Sequence, residues 1–429
     1  MPPAPTDPTP SAPAPLAGVR ILDLSQVMAG PWATQLLGDL GADVIKIEPP
    51  GGGDQARRSF TTTAGDSAGD NAAFRAVNRN KRSVVIDLRT PEGQAVLHRL
   101  ARSADVVVEN FRPGVAERLG ADAATLHTID PRLVVLSLSG FGTPDEPDPD
   151  TDILSRRPGF DLVAQAMTGL MSITGTAGGE PVKVGVPITD LTSGMFGVIG
   201  LLAALRNREL TGRGDHVRTS LYQAGLALLL WESASFWTTG DEPGPTGAGH
   251  RLLAPYEALR TKDSHVVVAA NNDKLWRQFL DVLGLPALAG DPRFATNADR
   301  LAHRSELAHA LEARLITRTT DDWVDALTSA GLPAAPVRTV GQALSDPHTR
   351  ALKMVGTVEH PVVGTQRVLG VPFRSSAGTS WPGTAAPAVG QDTRDVLSAA
   401  GFSDAEIETL ATAGTVVEGD PYPVTEGRS

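Results

Sequence analysis

The chain of 429 residues contains no cysteine. This absence excludes disulfide bonds, thiol catalysis and metal sites with cysteine ligands. The chain also has no basic excess, because 49 acidic residues outnumber 38 lysines and arginines and give a formal net charge of −11. A nucleic-acid-binding domain carries a basic excess, so we expect no nucleic acid among the partners.

Long apolar runs are also missing. No stretch approaches the roughly 20 apolar residues that a membrane helix needs, and the start has neither a basic region nor an apolar region of the signal-peptide kind. We therefore expect no membrane partner and predict a cytoplasmic location. An anionic small molecule could still be held by a local group of basic residues.

Several catalytic motifs are absent as well. The sequence has no GxSxG and no HExxH, and its nine histidines are scattered without the spacing of metal ligands. These absences disfavour a serine hydrolase and predict no metal site. A carboxylate is then the best candidate for a nucleophile or a base.

The order of sequence patterns predicts an α/β fold. Residues 1–15 form a proline-rich tail that we expect to be disordered. Beyond it, β-branched runs at 19–24, 43–48, 83–88, 104–109 and 133–139 predict strands, and helical stretches lie between them. This alternation predicts a doubly wound domain with a parallel sheet. The turn after the first strand reads SQVMAGPW and lacks GxGxxG, so a dinucleotide enzyme is disfavoured.

The length favours two domains. We assign residues 16–224 and 333–429 to a large domain built from both ends of the chain, with linkers. Residues 225–332 combine a strand pattern at 264–270 with helical periodicity and are predicted to form a small α+β domain. Residues 333–340 then return the chain to the large domain, where 357–359 and 366–371 are predicted to be edge strands.

Two groups of residues near the predicted strands suggest a ligand site. The densest basic cluster precedes the strand at 83–88 and consists of Arg75, Arg79, Lys81 and Arg82. It is either a solvated basic face or a phosphate site, since guanidinium groups can bind phosphate oxygens bidentately. Asn110 and Phe111 follow another parallel strand, at the edge where α/β sheets bind ligands. Phe111 could stack on a purine or cover the core.

The segment 184–206, VGVPITDLTSGMFGVIGLLAALR, contains a single carboxylate, Asp190, before a run with helical periodicity. Apolar residues lie on more than one face of that run, so we expect the helix to be buried nearly all round. Gly194, Gly197 and Gly200 together cost about 3 kcal/mol relative to alanine, which indicates close approach of a backbone or a ligand. From these residues alone, Asp190 is either a helix cap or a functional carboxylate.

Six blocks of the sequence, in order, resemble the class III CoA-transferases, a group that includes formyl-CoA and carnitine CoA-transferases and is related to the α-methylacyl-CoA racemases. The resemblance runs from about residue 16 to about residue 413. The blocks are LAGVRILDLSQVMAGPWATQLLGDLGADVIKIEPPGGGD, NRNKRSVVIDLRTPEG, ADVVVENFRPG, GFDLVAQAMTGLMSITG, VGVPITDLTSGMFGVIGLLAALRNRELTGRGDHV and DSHVVVAANNDKLW.

The resemblance implies an interlocked homodimer, in which each protomer has a Rossmann-like large domain and a small domain. It implies that Asp190 is the nucleophile, which forms an anhydride with the acyl group and then an aspartyl-CoA thioester. It also implies coenzyme A as a substrate, with no metal and no permanently bound cofactor. The implied CoA-binding positions are Val27, Lys81, Arg82, Asn110, Phe111 and Arg118, and Gly247 to Gly249 match a glycine loop that closes over the active site.

Three departures from the family pattern concern the subfamily. Phe160 replaces the histidine that pairs with the aspartate in the racemases, and it cannot carry a proton. Met28 stands where formyl-CoA transferase has a glutamine that contacts oxalate, so a larger or more apolar acid is expected. Pro49 or Pro50 replaces a basic residue on the adenine side. The expected activity is CoA transfer between an acyl-CoA and a carboxylic acid; a racemase and a catalytically silent CoA-thioester-binding subunit are the alternatives.

Overall fold

The computed structural model describes residues 14–59, 71–145, 152–374, 378–379 and 381–419. Most of the predicted disordered tail, residues 1–13, lies outside them. Contacts divide the chain into two compact units. The first contains Val184–Leu230 and the described parts of Met1–Thr168 and Ala351–Ser429, and the second contains Gly169–Lys183 and Trp231–Arg350.

Twelve strands lie within the described residues. They are β1 (Arg20–Asp23), β2 (Asp43–Glu48), β3 (Lys81–Ile86), β4 (Val106–Glu109), β5 (Val134–Ser139), β6 (Asp215–Ser220), β7 (Tyr256–Arg260), β8 (His265–Ala269), β9 (Ala334–Pro336), β10 (Val355–His360), β11 (Gly364–Leu369) and β12 (Val416–Val417).

The helices of the first unit begin where the sequence supplies capping residues. Thr90 accepts a hydrogen bond from Gly93 N and precedes Pro91 at the first helical position. Ser403 and Glu406 form the predicted capping box. These helices are Ala29–Asp39, Ala56–Ser59, Ala72–Ala76, Pro91–Ala101, Val115–Arg118, Ala123–Ile129, Asp152–Ser155, Asp161–Met167, Ile188–Thr211, Leu221–Ala227, Thr393–Ala399 and Asp404–Thr412.

The large sheet of the first unit has the order β12-β3-β2-β1-β4-β5-β6. Its strands pair in parallel, except that β12 runs antiparallel to β3. The central order 3-2-1-4-5-6 is that of the Rossmann arrangement, and the chain direction across the sheet reverses between β1 and β4. The predicted α/β fold with a parallel sheet is therefore confirmed.

Each face of this sheet is covered by helices. Alternate side chains of a strand point to opposite faces. Thus Leu22 packs with the helices Pro91–Ala101 and Thr393–Ala399, whereas Ile21 packs with Ala29–Asp39 and Ile188–Thr211. The result is a three-layer arrangement whose two apolar cores lie on either side of the sheet.

The helix Ile188–Thr211, here called the central helix, packs against Ala29–Asp39, β5 and β6. Its glycines permit that approach. A Cβ at Gly194 would lie 2.8 Å from the Ala29 carbonyl oxygen, and one at Gly197 would lie 3.1 Å from a Leu136 methyl. The glycines therefore serve packing. The helix is not buried nearly all round as expected, because Met195, Phe196 and Ile199 are exposed.

The central helix is also the one described helix that is long and apolar enough to cross a membrane by length and composition. It has 24 residues, and its most apolar window has a mean hydropathy of 1.7. Half of that window is buried within the fold, against the sheet. These contacts are those of a core helix, although the sequence pattern predicted no apolar segment of this length.

The second unit has its own sheet and core. Strands β7, β8 and β9 form an antiparallel sheet, and Trp276, Phe279 and Trp323 are buried in the core beside it. Its helices are Leu170–Ile173, Leu230–Thr239, Asp273–Leu283, Asn297–Ala302, Arg304–Leu315, Thr320–Ser329, Val340–Ser345 and Pro347–Ala351, with short 3-10 turns at Pro286–Gly290 and Pro292–Phe294.

Two segments differ from the sequence-based expectation. Residues 334–336, expected in a return linker, pair with β8 because their backbone completes the small sheet. Residues 355–369, expected to hold edge strands, form a separate hairpin of β10 and β11. Contacts also place residues 169–183 and 333–350 in the second unit rather than the large domain.

We predict that Gly194→Ala destabilises the protein although alanine is the better helix former by about 1 kcal/mol. The new methyl meets a backbone oxygen that cannot move alone, so a loss of about 1–3 kcal/mol is expected. Gly197→Ala is the matched control, because its neighbour is a terminal leucine methyl that can shift. Urea denaturation measures both variants, and equal stability of the two would contradict this packing account.

Candidate active site

Asp190 is the third residue of the central helix, after Pro187 at the N-cap position. Asp190 is therefore not the N-cap of this helix, which was one of the two roles that the sequence left open. Its carboxylate lines a cavity, and within the described part of the chain no hydrogen bond to that carboxylate is present. A half-buried carboxylate without a partner is unusual, because proteins normally satisfy buried charge.

A second carboxylate, Asp161, lies at the start of the helix Asp161–Met167. It accepts hydrogen bonds from Thr189 N at 2.9 Å, Thr189 Oγ1 at 2.8 Å and Gln165 Nε2 at 2.7 Å. These bonds tie its helix to the start of the central helix. Asp161 thus has the partners that Asp190 lacks.

Burial and the negative charge of Asp161 raise the pKa of Asp190 to about 7. The N-terminus of a helix by itself favours the charged form of a carboxylate. In the structure, the loss of hydration and the neighbouring carboxylate outweigh that effect. Asp190 therefore changes its protonation state near neutral pH.

The cavity beside Asp190 has a volume of about 390 Å³. It lies where the loops after β1, β4 and β5 meet, at the topological switch point where open α/β sheets bind ligands. Residues 26–29, 110–113, 138–140 and 157–160 line it. Of the predicted site residues, it brings together Val27, Met28, Asn110, Phe111, Phe160 and Asp190.

A second groove, of about 480 Å³, adjoins the cavity at the carboxyl ends of β1, β2 and β3. The two spaces share Gln26, Phe111 and Val115 as lining residues. The predicted residue Arg118 lines this groove, and so does Arg89, whose side chain is 76% exposed. Sequence reasoning missed Arg89, although its place just after β3 was a usable signal.

Lys81 and Arg82 line neither space. The Lys81 ammonium is fully buried and donates to Asp23, Pro31 O and Asn78 at 2.8–2.9 Å. Arg82 makes a bidentate pair with Asp43. The charges of Lys81 and Arg82 are thus paired with aspartates within the fold, whereas the sequence had left open a solvated basic face or a phosphate site. Direct contact of these residues with CoA stays a prediction.

The predicted glycine loop belongs to the second unit. Gly247 has a φ of 67° and donates its N–H to Gly175 O at 2.8 Å. A Cβ at Gly249 would lie 2.5 Å from Arg304 Nη1, so a larger residue here would displace the end of that arginine side chain. The contact of Gly247 and Gly249 with a substrate stays a prediction.

Two further guanidinium groups line the Asp190 cavity. They belong to Arg112 and Arg157, and neither side chain has a hydrogen bond or an ion pair with another described residue. Free guanidinium groups beside a cavity suit carboxylate or phosphate ligands. No group of three or more histidine, aspartate or glutamate side chains that could hold a metal occurs in the residues the structure describes.

The sequence and structure match known proteins over nearly the whole chain. Residues 16–393 match the model of CoA-transferase family III. A succinate–glutarate CoA-transferase of Agrobacterium fabrum is 35% identical over 383 residues, which cover 89% of this chain and 90% of that protein. An acetyl-CoA:oxalate CoA-transferase of Acetobacter aceti is 39% identical over 353 residues, 82% of this chain and 88% of that one.

Among solved structures, a CAIB/BAIF family protein from Brucella suis superposes with a TM-score of 0.80 at 34% identity. The match covers 90% of this chain and 100% of that one. The similarity therefore extends from sequence to three-dimensional fold.

We predict that Asp190→Asn raises thermal stability above neutral pH. The unfolded carboxyl ionises near its ordinary pKa of 3.8, and the folded one near 7. As pH rises between these values the wild type loses stability, which asparagine does not. The difference in Tm should therefore grow from pH 4 to 7 and then level off.

Asp161→Asn is the companion variant for this titration. Removal of the neighbouring charge should reduce the effect of the Asp190 substitution, because part of the raised pKa comes from Asp161. Thermal melts of the single and double variants between pH 4 and 8.5 measure this. A difference in Tm that does not depend on pH would contradict the titration of Asp190.

Proposed function

The chain belongs to CoA-transferase family III, and on that premise we propose that it moves CoA from an acyl-CoA to a carboxylic acid with Asp190 as nucleophile, as formyl-CoA transferase-like enzymes do. The observation that best supports this proposal is that the Asp190 carboxylate lines the cavity at the switch point and has no hydrogen-bond partner among the described residues. Carboxylates are an established class of nucleophile in covalent catalysis. Coenzyme A enters as a substrate, and the protein needs no permanently bound cofactor.

In the proposed reaction, an Asp190 oxygen attacks the thioester carbonyl, the C–S bond breaks and CoA leaves as a thiolate. The thiolate then attacks the aspartyl carbonyl of the resulting anhydride, which releases the donor acid and leaves an aspartyl-CoA thioester. The acceptor carboxylate attacks this thioester and frees the thiolate again. Attack of the thiolate on the acceptor carbonyl of the new anhydride yields acceptor acyl-CoA and restores Asp190.

The adjoining groove and cavity suggest how CoA binds. We place the phosphate-bearing end in the groove with Arg118 and with Arg89, which pairs with Asp87 but has a 76% exposed side chain, because guanidinium groups bind phosphate well. The shared residue Phe111 leads from the groove to the Asp190 cavity, and Val27 and Asn110 line the latter. Arg89 offers a cation where Pro49 replaces the family's basic residue. Lys81 and Arg82 then contribute by stabilising the fold through their ion pairs with Asp23 and Asp43.

For the acceptor, we propose a dicarboxylic acid of four or five carbons. The curated relatives carry succinate, glutarate and oxalate in their names. Met28 and Phe160 add apolar surface to the cavity, which favours a longer acid than oxalate. The free guanidinium of Arg157 can bind the carboxylate that does not react.

We further propose the interlocked homodimer, a cytoplasmic location and no nucleic-acid or membrane partner. The exposed apolar residues Met195, Phe196 and Ile199 support a protein partner on the central helix. We also propose that the loop with Gly247 and Gly249 takes part in substrate binding. The racemase alternative is not favoured, since Phe160 cannot exchange a proton, and neither is a silent subunit.

We predict that Asp190→Asn lowers kcat for CoA transfer by about a thousandfold or more, because loss of a covalent nucleophile removes the main reaction route. A mass-spectrometric screen of acyl-CoA donors against carboxylic acids identifies the substrate pair and measures the rate. Glu209→Gln, at the far end of the same helix, is the control and should transfer normally. Full transfer by Asp190→Asn, or solvent deuterium entering the α-carbon of a 2-methylacyl-CoA without acceptor, would refute the proposal.

We predict that Arg157→Gln raises KM for a dicarboxylic acceptor by about ten- to a hundredfold, as expected for a lost charge-assisted hydrogen bond. KM for a monocarboxylic acid of the same length should change little. Arg156→Gln is the matched control, since Arg156 does not line the cavity. Steady-state kinetics with both acids measure the effect, and equal losses for both would show that Arg157 does not bind the distal carboxylate.

A further inference from the structure

The loop after β1 carries a backbone conformation that its sequence does not favour. Val27 has a φ of 71°, in the left-handed region. A β-branched residue rarely adopts this region, and such a conformation persists only when the surroundings hold it. Residues 26–29 of the same loop line the Asp190 cavity.

Three side chains from outside the loop bind its backbone at consecutive residues. Lys46 Nζ donates to Ser25 O at 2.8 Å. The Asn110 amide accepts from Gln26 N and donates to Gln26 O, both at 2.8 Å. The Asp54 carboxylate accepts from Val27 N at 3.1 and 3.3 Å.

Two of these groups cannot act by touching a ligand. Lys46 and Asp54 form an ion pair at 2.8 Å, both side chains are fully buried, and neither lines the cavity or the groove. Glu48 Oε2 in turn accepts from Asp54 N at 2.7 Å, which fixes the carboxylate-bearing residue. Asp54 also accepts from Ala56 N at 2.8 Å, so Lys46 and Asp54 contribute to a reaction through the backbone segments that they hold, of which the loop after β1 is the strained one.

We propose that Asp54 and Lys46 are positioning residues that hold Val27 at positive φ and so keep residues 26–29 in place opposite Asp190. The inference rests on the proposed function, because the place being kept is that of the reacting thioester. A purely structural ion pair would stabilise the fold and leave the chemistry of folded molecules unchanged. The two possibilities differ in kcat per folded molecule and in the conformation of Val27.

The test compares two charge-balanced double variants. K46M/D54N removes the ion pair but keeps a side-chain oxygen that can accept from Val27 N. K46M/D54L removes that acceptor as well. With succinyl-CoA and glutarate, we expect K46M/D54L to have a kcat at least tenfold below that of K46M/D54N, whereas KM for succinyl-CoA changes less than threefold.

A third substitution supplies the rescue. Glycine adopts positive φ without steric cost, so adding Val27→Gly to K46M/D54L should restore kcat to within threefold of K46M/D54N. Thermal melts correct each rate for the folded fraction. Equal kcat for the two double variants, or no recovery with glycine, would overturn the proposal.

The hydrogen bonds from Lys46, Asp54 and Asn110 to the backbone of residues 25–27 are here called the clamp. Structural and stability measurements test this clamp independently of enzyme activity. A crystal structure of K46M/D54L should show Val27 at negative φ, and a retained positive φ would overturn the proposal. If that variant does not fold, Val27→Asn in the native background serves instead, because asparagine tolerates this region. Val27→Asn should raise Tm, and an unchanged or lowered Tm would contradict the presence of backbone strain at Val27. Absence of CoA transfer by the wild type, by contrast, would refute the proposed function alone.

Discussion

An imbalance between two neighbouring carboxylates dominates this site. Asp161 accepts three hydrogen bonds and ties two helices together. Asp190 accepts none from the described residues, yet it is half-buried. Because charge without partners is disfavoured in such surroundings, burial and Asp161 raise the pKa of Asp190 to about 7. A carboxylate in this condition is available to bond with a substrate rather than with the protein.

The fold explains why that carboxylate lies at a ligand site. The parallel sheet reverses its winding between β1 and β4, which opens a crevice at the carboxyl ends of these strands. The central helix carries Asp190 to this crevice. Gly194 permits contact of that helix with the backbone at Ala29, beside the loop that contains Val27. The close packing of the central helix at Gly194 therefore also helps to set the shape of the cavity, because residues 26–29 line it.

Most of the fold of the large domain and many of the site residues could be predicted from the sequence, because they depend on local sequence patterns. β-branched runs predicted the strands β1 to β5 of the large sheet, and Ser403 with Glu406 predicted a helix start. The resemblance to a known family selected Asp190, and the structure brings it together with Val27, Met28, Asn110, Phe111 and Phe160. Val27 and Met28 follow β1, and Asn110 and Phe111 follow β4, where ordinary rules of α/β folds place ligand sites.

What the sequence could not predict depends on contacts between distant residues. Lys81 belongs to a basic cluster in the sequence, but its partner Asp23 lies on another strand and takes up its charge. The charge of Asp161 adds to the effect of burial in raising the pKa of Asp190, and no local pattern connects the two residues. Strand β9 forms because its backbone pairs with the edge of β8, although the sequence of β9 resembles a proline-rich linker. The clamp on Val27 likewise joins residues from three separate segments.

The central claim is that Asp190 carries the CoA and acyl intermediates. Peptide mass spectrometry after incubation with a productive acyl-CoA and trapping with hydroxylamine tests it most directly. We expect the hydroxamate to form on the peptide containing Asp190 and on that residue alone, in proportion to the acyl-CoA supplied. Continued turnover with the hydroxamate on another residue, or with no modified residue at all, would contradict it.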